Sequence, residues 1–287
     1  MTQVPESASP AVPDFGLIII GDEILSGKRA DKHLAAVIER LHARGLQVAW
    51  AEYLGDSRQR ISAALRRAFG SGDVVFSCGG IGATPDDHTR QSAALALGVE
   101  LVLHPQARAL ILERMQDTAR EQGTRYEPAR PDNLHRLNMG VFPAGAQIIP
   151  NPYNKIPGFS CIGSVPSGSR PGTVHFVPGF PVMAWPMIEW VLDTWYPGLG
   201  GPSDWLEKSV IVYGAMEATL TPMMEDIERE FAGVKVFSLP SVDHPQYGRH
   251  IELGVKGPAN TVEEAYAVLL RELGRFLARL GPQLVRK

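Results

Sequence analysis

The segment DVVFSCGGIGATPDDHTR, residues 73–90, contains the strongest indication of the fold. Residues 73–78 read as a strand that is apolar on both faces, which is typical of a parallel sheet covered by helices. The glycine run 79–82 then breaks the strand, and a helix is predicted over about 87–97. Strand, tight turn and helix in this order predict one unit of a parallel α/β sheet.

The same alternation extends over most of the first 200 residues. Residues 17–20 form an apolar run that ends at Gly21, and a second strand is predicted over about 47–54. Helical spacing of apolar residues predicts further helices at about 31–44, from Ile61 to a stop at Gly70, and at about 105–122. The predicted fold class is therefore α/β, a three-layer αβα arrangement around a mostly parallel sheet.

The pattern changes after residue 144. A short strand is predicted at 147–149, and the segments 159–165 and 173–177 predict an inserted β-hairpin. The segment 196–203, rich in Pro and Gly, is the predicted linker. The remainder predicts a small α+β unit of βαββα order, with strands at 207–213, 234–238 and 247–256 and helices at 217–231 and 261–280. The predicted domains are 14–200 and 201–287, after a flexible tail at 1–13.

Composition argues against several classes of protein. A net charge of −3 provides no basic surface of the kind that binds nucleic acid. The only cysteines, Cys78 and Cys161, are too far apart for a zinc ribbon and do not suggest a disulfide scaffold. The N-terminal residues lack the pattern of a signal peptide, and the first apolar run is too short to span a membrane. We therefore expect a cytoplasmic protein that binds neither membranes nor nucleic acid.

Acidic and hydroxyl side chains follow each of the first three predicted strands. Ligands of open parallel sheets bind beyond the carboxyl ends of the strands, so these residues are expected to share one edge. They are Asp22 and Glu23 after the first strand, Asp56 after the second, and Thr84, Asp86, Asp87 and Thr89 after the third. Asp56 and Ser57 are also suited to capping a helix, and that alternative stays open.

The glycines at the strand ends supply a complementary feature. Gly21, Gly79, Gly80 and Gly82 have no side chain, so main-chain N–H groups can approach an anion closely at these positions. The run matches neither the dinucleotide-binding fingerprint nor the P-loop. It therefore predicts an anion-binding turn without identifying the anion.

Asp86 and Asp87 are the candidate catalytic and metal-binding residues. Two carboxylates beside an anion-binding turn would repel a phosphate unless a hard cation such as Mg²⁺ bridged them. The alternative is a capping arrangement, with Thr84 as the N-cap and Pro85 as the first helical residue. A cap needs only one acidic residue, so the pair favours a metal-bridged anion.

These motifs resemble the molybdenum-cofactor biosynthesis (MoaB/Mog-like) family, and most closely its competence/damage-inducible, CinA-like branch. The resemblance rests on GDEIL at 21–25 and on GGIGATPDDHTR at 79–90. Later landmarks of the branch match 143–146, 150–152, 157–158 and VPGFP at 177–181, which adds Pro178 and Gly179 to the candidate ligand-binding residues. The C-terminal unit resembles the second, KH-like domain of that branch.

The resemblance implies a domain that binds molybdopterin or an adenine nucleotide, with Asp87 acting together with a divalent cation. In the CinA-like branch it also implies cleavage of the pyrophosphate bond of ADP-ribose-type substrates. The chain departs from the branch at 28–33 and 133–138, and it ends without the amidohydrolase domain of some relatives, so deamidation of nicotinamide mononucleotide is not expected. A pyrophosphatase, a non-catalytic molybdopterin-binding module and an interaction protein with a vestigial pocket all stay open.

The C-terminal unit lacks the feature by which KH domains hold nucleic acid. KH domains clamp the backbone with a GXXG loop, whereas residues 214–217 read GAME. The helix that follows is acidic, which is the wrong charge for a polyanion. Its apolar residues fall at helical spacing and predict a core or an interface. We therefore expect a structural or dimer-forming role, a homo-oligomer, and a small phosphate-bearing molecule as the ligand.

Overall fold

The computed structural model describes residues 12–167, 169–199, 205–276 and 279–286. The chain divides into two compact units, Met1–Leu199 and Gly200–Lys287, and each is described by itself. Residues 1–11 of the predicted tail and residues 200–203 of the predicted linker lie outside the described residues. Within the described ranges, no helix is long and apolar enough to cross a membrane.

The larger unit contains eight strands and seven α-helices among its described residues. In chain order these are β1 (Phe15–Ile20), α1 (Asp22–Leu25), α2 (His33–His42), β2 (Val48–Leu54), α3 (Arg58–Ser71), β3 (Val74–Cys78), α4 (Thr89–Leu97), β4 (Leu101–Leu103), α5 (Pro105–Glu121), α6 (Pro131–Arg136), β5 (Val141–Pro143), β6 (Gln147–Ile149), β7 (Gly158–Ile162), β8 (Thr173–Val177) and α7 (Pro181–Trp195).

The central sheet has the strand order β2-β1-β3-β8-β7-β6. Parallel pairing joins β1 to β2 and to β3, and joins β3 to β8. β7 runs antiparallel to β8, with Phe159 opposite Phe176, so the predicted hairpin and the mostly parallel sheet are both confirmed. β2 and β3 lie on opposite sides of β1. The chain therefore changes direction across the sheet at β1, which makes the carboxyl end of β1 a topological switch point.

Helices cover both faces of the sheet. Successive residues of β1 point to opposite faces, and each face packs against a different set of helices. Phe15, Leu17 and Ile19 pack with side chains of α2 and α7. Ile18 and Ile20 pack with side chains of α3, α4 and α5 on the opposite face. Every residue of β1 is buried, as the continuous apolar run predicted. The three-layer αβα arrangement is thereby confirmed.

The predicted stop of α3 at Gly70 is wrong by a short distance. The helix continues through Gly70 and is followed by Gly72, which adopts the left-handed conformation with φ of 83°. A left-handed residue directly after a helix favours glycine, because a side chain strains that conformation. Gly72 is therefore the residue that terminates α3.

The smaller unit is an antiparallel sheet covered by two helices. Its elements are β9 (Trp205–Tyr213), α8 (Glu217–Glu230), β10 (Lys235–His244), β11 (Gly248–Pro258), α9 (Ala259–Leu273) and β12 (Arg279–Arg286), with the strand order β10-β11-β9-β12. Leu220, Met223 and Ile227 of α8 are buried in its core, as predicted from their spacing.

The helix predicted over 261–280 is wrong beyond Leu273. α9 ends there, and residues 279–286 form β12, which pairs antiparallel with β9. Leu280 lies opposite Val212 in that pairing. The strand depends on a partner far away in the chain, so local periodicity did not reveal it. The unit is therefore βαββα with one additional edge strand.

Candidate active site

A cavity of about 420 Å³ lies at the carboxyl ends of the parallel strands. Gly21 follows β1, Gly79 follows β3, and Pro178 with Gly179 follow β8; all four residues line it. The cavity is thus at the switch point of the sheet, where ligands of open α/β folds bind. We refer to it as the main cavity.

The glycine turn after β3 forms the floor of the main cavity. Gly79 and Gly80 have φ values of 106° and 68°, and a Cβ atom would collide with the Ile20 carbonyl at Gly79 and with the Thr89 hydroxyl at Gly80. Thr89 is fully buried, and its hydroxyl donates a hydrogen bond of 3.0 Å to the Gly79 carbonyl. Its N–H donates to the Gly80 carbonyl at 3.0 Å. Thr89 therefore supports the turn from beneath.

Residues 84–87 form a hydrogen-bonded turn on one side of the main cavity. The Asp87 N–H donates to the Thr84 carbonyl at 3.0 Å, and the Thr84 N–H donates to Oδ2 of Asp87 at 2.8 Å. The Thr84 hydroxyl also donates to that oxygen. Hydrogen bonding involving the Thr84 side chain lowers the pKa of the Asp86 carboxyl, which is exposed. Both aspartates are held at the cavity wall.

The capping interpretation of 84–87 is wrong, because α4 begins only at Thr89. His88 occupies the N-cap position, and its side chain makes no capping hydrogen bond. The bonds of Thr84 are made to Asp87 inside the turn rather than to the helix. The hydrogen bonds of this segment therefore fix the wall of the main cavity and do not cap the helix.

Asp22 and Asp56 connect the ends of β1 and β2. The Asp22 N–H donates to Oδ2 of Asp56 at 3.0 Å, and the Asp56 N–H donates to Oδ1 of Asp22 at 3.2 Å. Ser57 is the N-cap of α3 and accepts a hydrogen bond from the Arg60 N–H, so Ser57 alone fulfils the predicted capping role. Burial is the main cause that raises the pKa of Asp56, and repulsion from Asp22, Glu23 and Asp86 adds to it.

All predicted site residues except Asp22 and Thr89 line the main cavity. The lining residues among them are Gly21, Glu23, Asp56, Gly79, Gly80, Gly82, Thr84, Asp86, Asp87, Pro178 and Gly179. Asp22 and Thr89 instead support neighbours of the cavity through the hydrogen bonds given above.

The main cavity is also lined by residues that were not among the predicted site residues, although Asn151 and Phe180 lie within the motifs 150–152 and 177–181. Asn151 donates hydrogen bonds from Nδ2 to Oδ1 of Asn154 at 2.8 Å and to the Ile156 carbonyl at 2.9 Å. Phe180 also lines the cavity, and the guanidinium of Arg29 lies 5.7 Å from the centre of its ring. The placement of Asn151 between two prolines was the available indication. Asn151 follows β6, which joins the sheet by pairing with β7, so its place in the cavity depends on the fold.

The fold and the main cavity together define a class of protein. It is a three-layer α/β domain whose strand ends bring a glycine turn, carboxylates and asparagines to one cavity. Such an arrangement is suited to a polar ligand that bears phosphate, with the glycine turn approaching the anion and the carboxylates available to a cation or to ligand hydroxyl groups.

The chain belongs to the family described as "Probable molybdopterin binding domain", which matches residues 16–197. A CinA-like protein of Geotalea uraniireducens is 32% identical over 220 residues, which are 76% of this chain and 48% of that protein. This chain therefore spans about half of that CinA-like relative. A protein of Aeropyrum pernix is 30% identical over 265 residues and is matched over 91% of both chains.

A solved structure supports the same assignment. The crystal structure of the CinA protein of Thermoplasma acidophilum, a protein with unknown function, matches 62% of this chain and 96% of that chain with a TM-score of 0.51 and 27% identity. The predicted resemblance is confirmed: the larger unit is a MoaB/Mog-like, CinA-like domain.

Proposed function

We propose that the larger unit binds a phosphate-bearing ligand of the molybdopterin or adenine-nucleotide class and hydrolyses the pyrophosphate bond of ADP-ribose-type nucleotides. The observation that carries this proposal is that Asp56, Asp86, Asp87 and the glycine turn line one cavity. Membership of the molybdopterin-binding family supports the ligand class. The hydrolysis adds the requirement for a divalent cation and a base.

The turn 84–87 fits a hard divalent cation. Mg²⁺ is usually held by one or two carboxylates together with substrate phosphates and waters. A site of this kind is compatible with the finding that the described residues contain no cluster of three or more metal-ligating side chains. Oδ1 of Asp87 takes no part in the hydrogen bonds from Thr84, and the lowered pKa of Asp86 keeps that carboxyl ionised. Asp86 and Asp87 would hold the cation.

The residues of the cavity would divide the reaction between them. A bound cation supplies charge neutralisation and polarises the anhydride. The main chain of the glycine turn stabilises negative charge on the phosphate oxygens. Asp56 accepts the proton of the attacking water, and its raised pKa makes it a stronger base than an ordinary aspartate. The water oxygen bonds to one phosphorus as the bridging P–O bond breaks, so ADP-ribose yields AMP and ribose 5-phosphate.

A non-catalytic molybdopterin-binding module is the second candidate. It is favoured by the hydrogen bond from the Asp22 N–H to Oδ2 of Asp56, which leaves the proposed base partly engaged. Both candidates use the same cavity and the same aspartates for binding. They differ in whether a phosphate bond is broken.

Product analysis distinguishes the two candidates. Incubation of the wild-type protein with ADP-ribose and Mg²⁺, Mn²⁺ or Co²⁺ is expected to yield AMP by chromatography, and Asp87→Asn and Asp56→Asn are expected to abolish it. We expect Asp87→Asn to lower stability by only about 1 kcal/mol, because asparagine keeps an acceptor for the Thr84 N–H. Glu52→Gln is the matched control, since Glu52 pairs with Arg67 outside the cavity.

A thermal-shift panel completes the experiment, because a ligand that binds the folded state raises the melting temperature by an amount that grows with the logarithm of its concentration relative to its dissociation constant. Adenine nucleotides, ADP-ribose and pterins are compared with and without the metal. Stabilisation by pterins without AMP formation under any condition would establish the binding module instead. Unchanged ligand affinity in Asp87→Asn would exclude the proposed role of the turn.

A further inference from the structure

A second cavity of about 350 Å³ adjoins the main cavity and has the opposite charge character. The two cavities share Ala83, Thr84 and Asp87 as a common wall. The main cavity is lined by the carboxylates of Glu23, Asp56, Asp86 and Asp87, with Arg29 as its cation. The second cavity is lined by Arg58, Arg90, His88 and His135, with Asp87 as its carboxylate. We call it the arginine cavity.

Arg90 is the most unusual residue of the arginine cavity. Its exposed fraction is 4%, and its Nη2 donates to the Gly82 carbonyl at 2.5 Å. Its Nε is buried and has no hydrogen-bond partner among the described residues. Burial lowers the pKa of Arg90, and the charge of Asp87 opposes that effect. A buried guanidinium with an unsatisfied donor is costly unless an anion pairs with it.

The charge of Asp87 acts on Arg90, but no described carboxylate lies within ion-pair distance of the guanidinium. Neither Arg90 nor Arg58 forms an ion pair within the described part of the chain. Arg58 is exposed on the first turn of α3, so its charge is available to a ligand. His135 hydrogen-bonds through Nε2 to the Ala83 carbonyl at 2.8 Å and thereby fixes the wall between the two cavities. Two arginines beside a rigid wall form a site suited to a phosphate group.

We propose that the arginine cavity binds the second phosphate of a diphosphate-containing ligand whose first phosphate and remaining groups occupy the main cavity. The anhydride of such a ligand lies at the shared wall, beside Thr84 and Asp87. This inference rests on the proposed function and makes it more specific, because it selects diphosphates over monophosphates. Arg58 and Arg90 are then residues that determine specificity.

The test compares AMP with α,β-methylene-ADP, which carries two phosphates but no cleavable anhydride. Calorimetry with the full chain and Mg²⁺ measures both dissociation constants in the wild-type protein, Arg58→Gln, Arg90→Lys and Arg90→Gln. We expect the methylene analogue to bind about tenfold more weakly to Arg58→Gln and Arg90→Gln, because each loses a charge-assisted hydrogen bond. The AMP affinity of Arg58→Gln is expected to stay within about twofold of the wild-type value. Arg90→Gln also loses the hydrogen bond to the Gly82 carbonyl, so it is judged by whether the methylene analogue loses more affinity than AMP does.

Arg60→Gln is the matched control, since Arg60 lies on the same helix as Arg58 but lines neither cavity. Arg90→Lys keeps the charge with fewer donors, so it tests Arg90 if Arg90→Gln does not fold. Equal losses for AMP and the analogue, or no loss for either, would overturn this inference while leaving the proposed function intact. If the wild-type protein bound neither nucleotide, both this inference and the proposal that the main cavity binds a nucleotide would be overturned.

Discussion

Replacement of Thr89 by valine tests whether the glycine turn depends on a hydroxyl buried beneath it. Valine has nearly the shape of threonine but cannot donate to the Gly79 carbonyl, which now accepts a hydrogen bond of 3.0 Å. Removing one partner of a buried hydrogen bond costs about 1–3 kcal/mol. Thr89→Ser keeps the hydroxyl and loses only a methyl group, which costs about 1 kcal/mol.

Urea denaturation followed by tryptophan fluorescence measures the difference. Trp50, Trp185, Trp190 and Trp195 belong to the larger unit, so the fluorescence change reports mainly on that unit. We expect Thr89→Val to be the less stable variant and to bind AMP about tenfold more weakly, because the main chain of the turn moves. If Thr89→Ser proved as unstable as Thr89→Val, and both bound AMP as the wild type does, the hydroxyl would have no role in shaping the turn.

Three further predictions concern charge. Because burial and repulsion from neighbouring carboxylates raise the folded-state pKa of Asp56, its ionised carboxyl destabilises the fold. Asp56→Asn should therefore raise the melting temperature at neutral pH, and the gain should disappear below the ordinary pKa of 3.8; a gain independent of pH would contradict this. Burial lowers the pKa of His175 from 6.5 to about 3, so stability should fall as the pH decreases through that interval. His175→Phe removes the His175 partner of Ser160 and one of the partners of Tyr196. The variant should be less stable at pH 8 yet lose stability less steeply as the pH falls, and an unchanged acid slope would refute the assignment. Fluorescence anisotropy at low salt should show no binding of labelled RNA or DNA to the full chain. Micromolar, salt-sensitive affinity would overturn the prediction that the smaller unit does not bind nucleic acid.

Much of the fold was predictable because its signals are local. The continuous apolar residues of β1 require burial on both faces, which a parallel sheet between helices provides. The glycine run at 79–82 marks the end of β3 at the residue where the structure ends it. Residues at the ends of parallel strands necessarily share one edge, so most candidate site residues could be selected before their geometry was known.

Other features depend on partners that are distant in the chain. Residues 279–286 become a strand only because β9 offers them an edge. The turn 84–87 follows a local capping pattern, yet hydrogen bonds from Thr89 to Gly79 and Gly80 hold that residue against the glycine turn, and α4 begins there. The capping pattern gives residues 84–87 a tendency to begin a helix, but the contacts of Thr89 with the glycine turn decide where the helix begins.

The amino-acid sequence was thus sufficient for the fold class, the family and the edge of the sheet that carries the main cavity, since periodicity and strand-end chemistry act over a few residues. Only the three-dimensional structure showed which residues line a cavity and which support its neighbours. Asp56 lines the main cavity while Asp22 supports it, although both follow strands. Arg58 and Arg90 line one cavity from two helices because α3 and α4 lie side by side. Burial and charge pairing depend on every neighbour in space, and those neighbours exist only once the chain has folded.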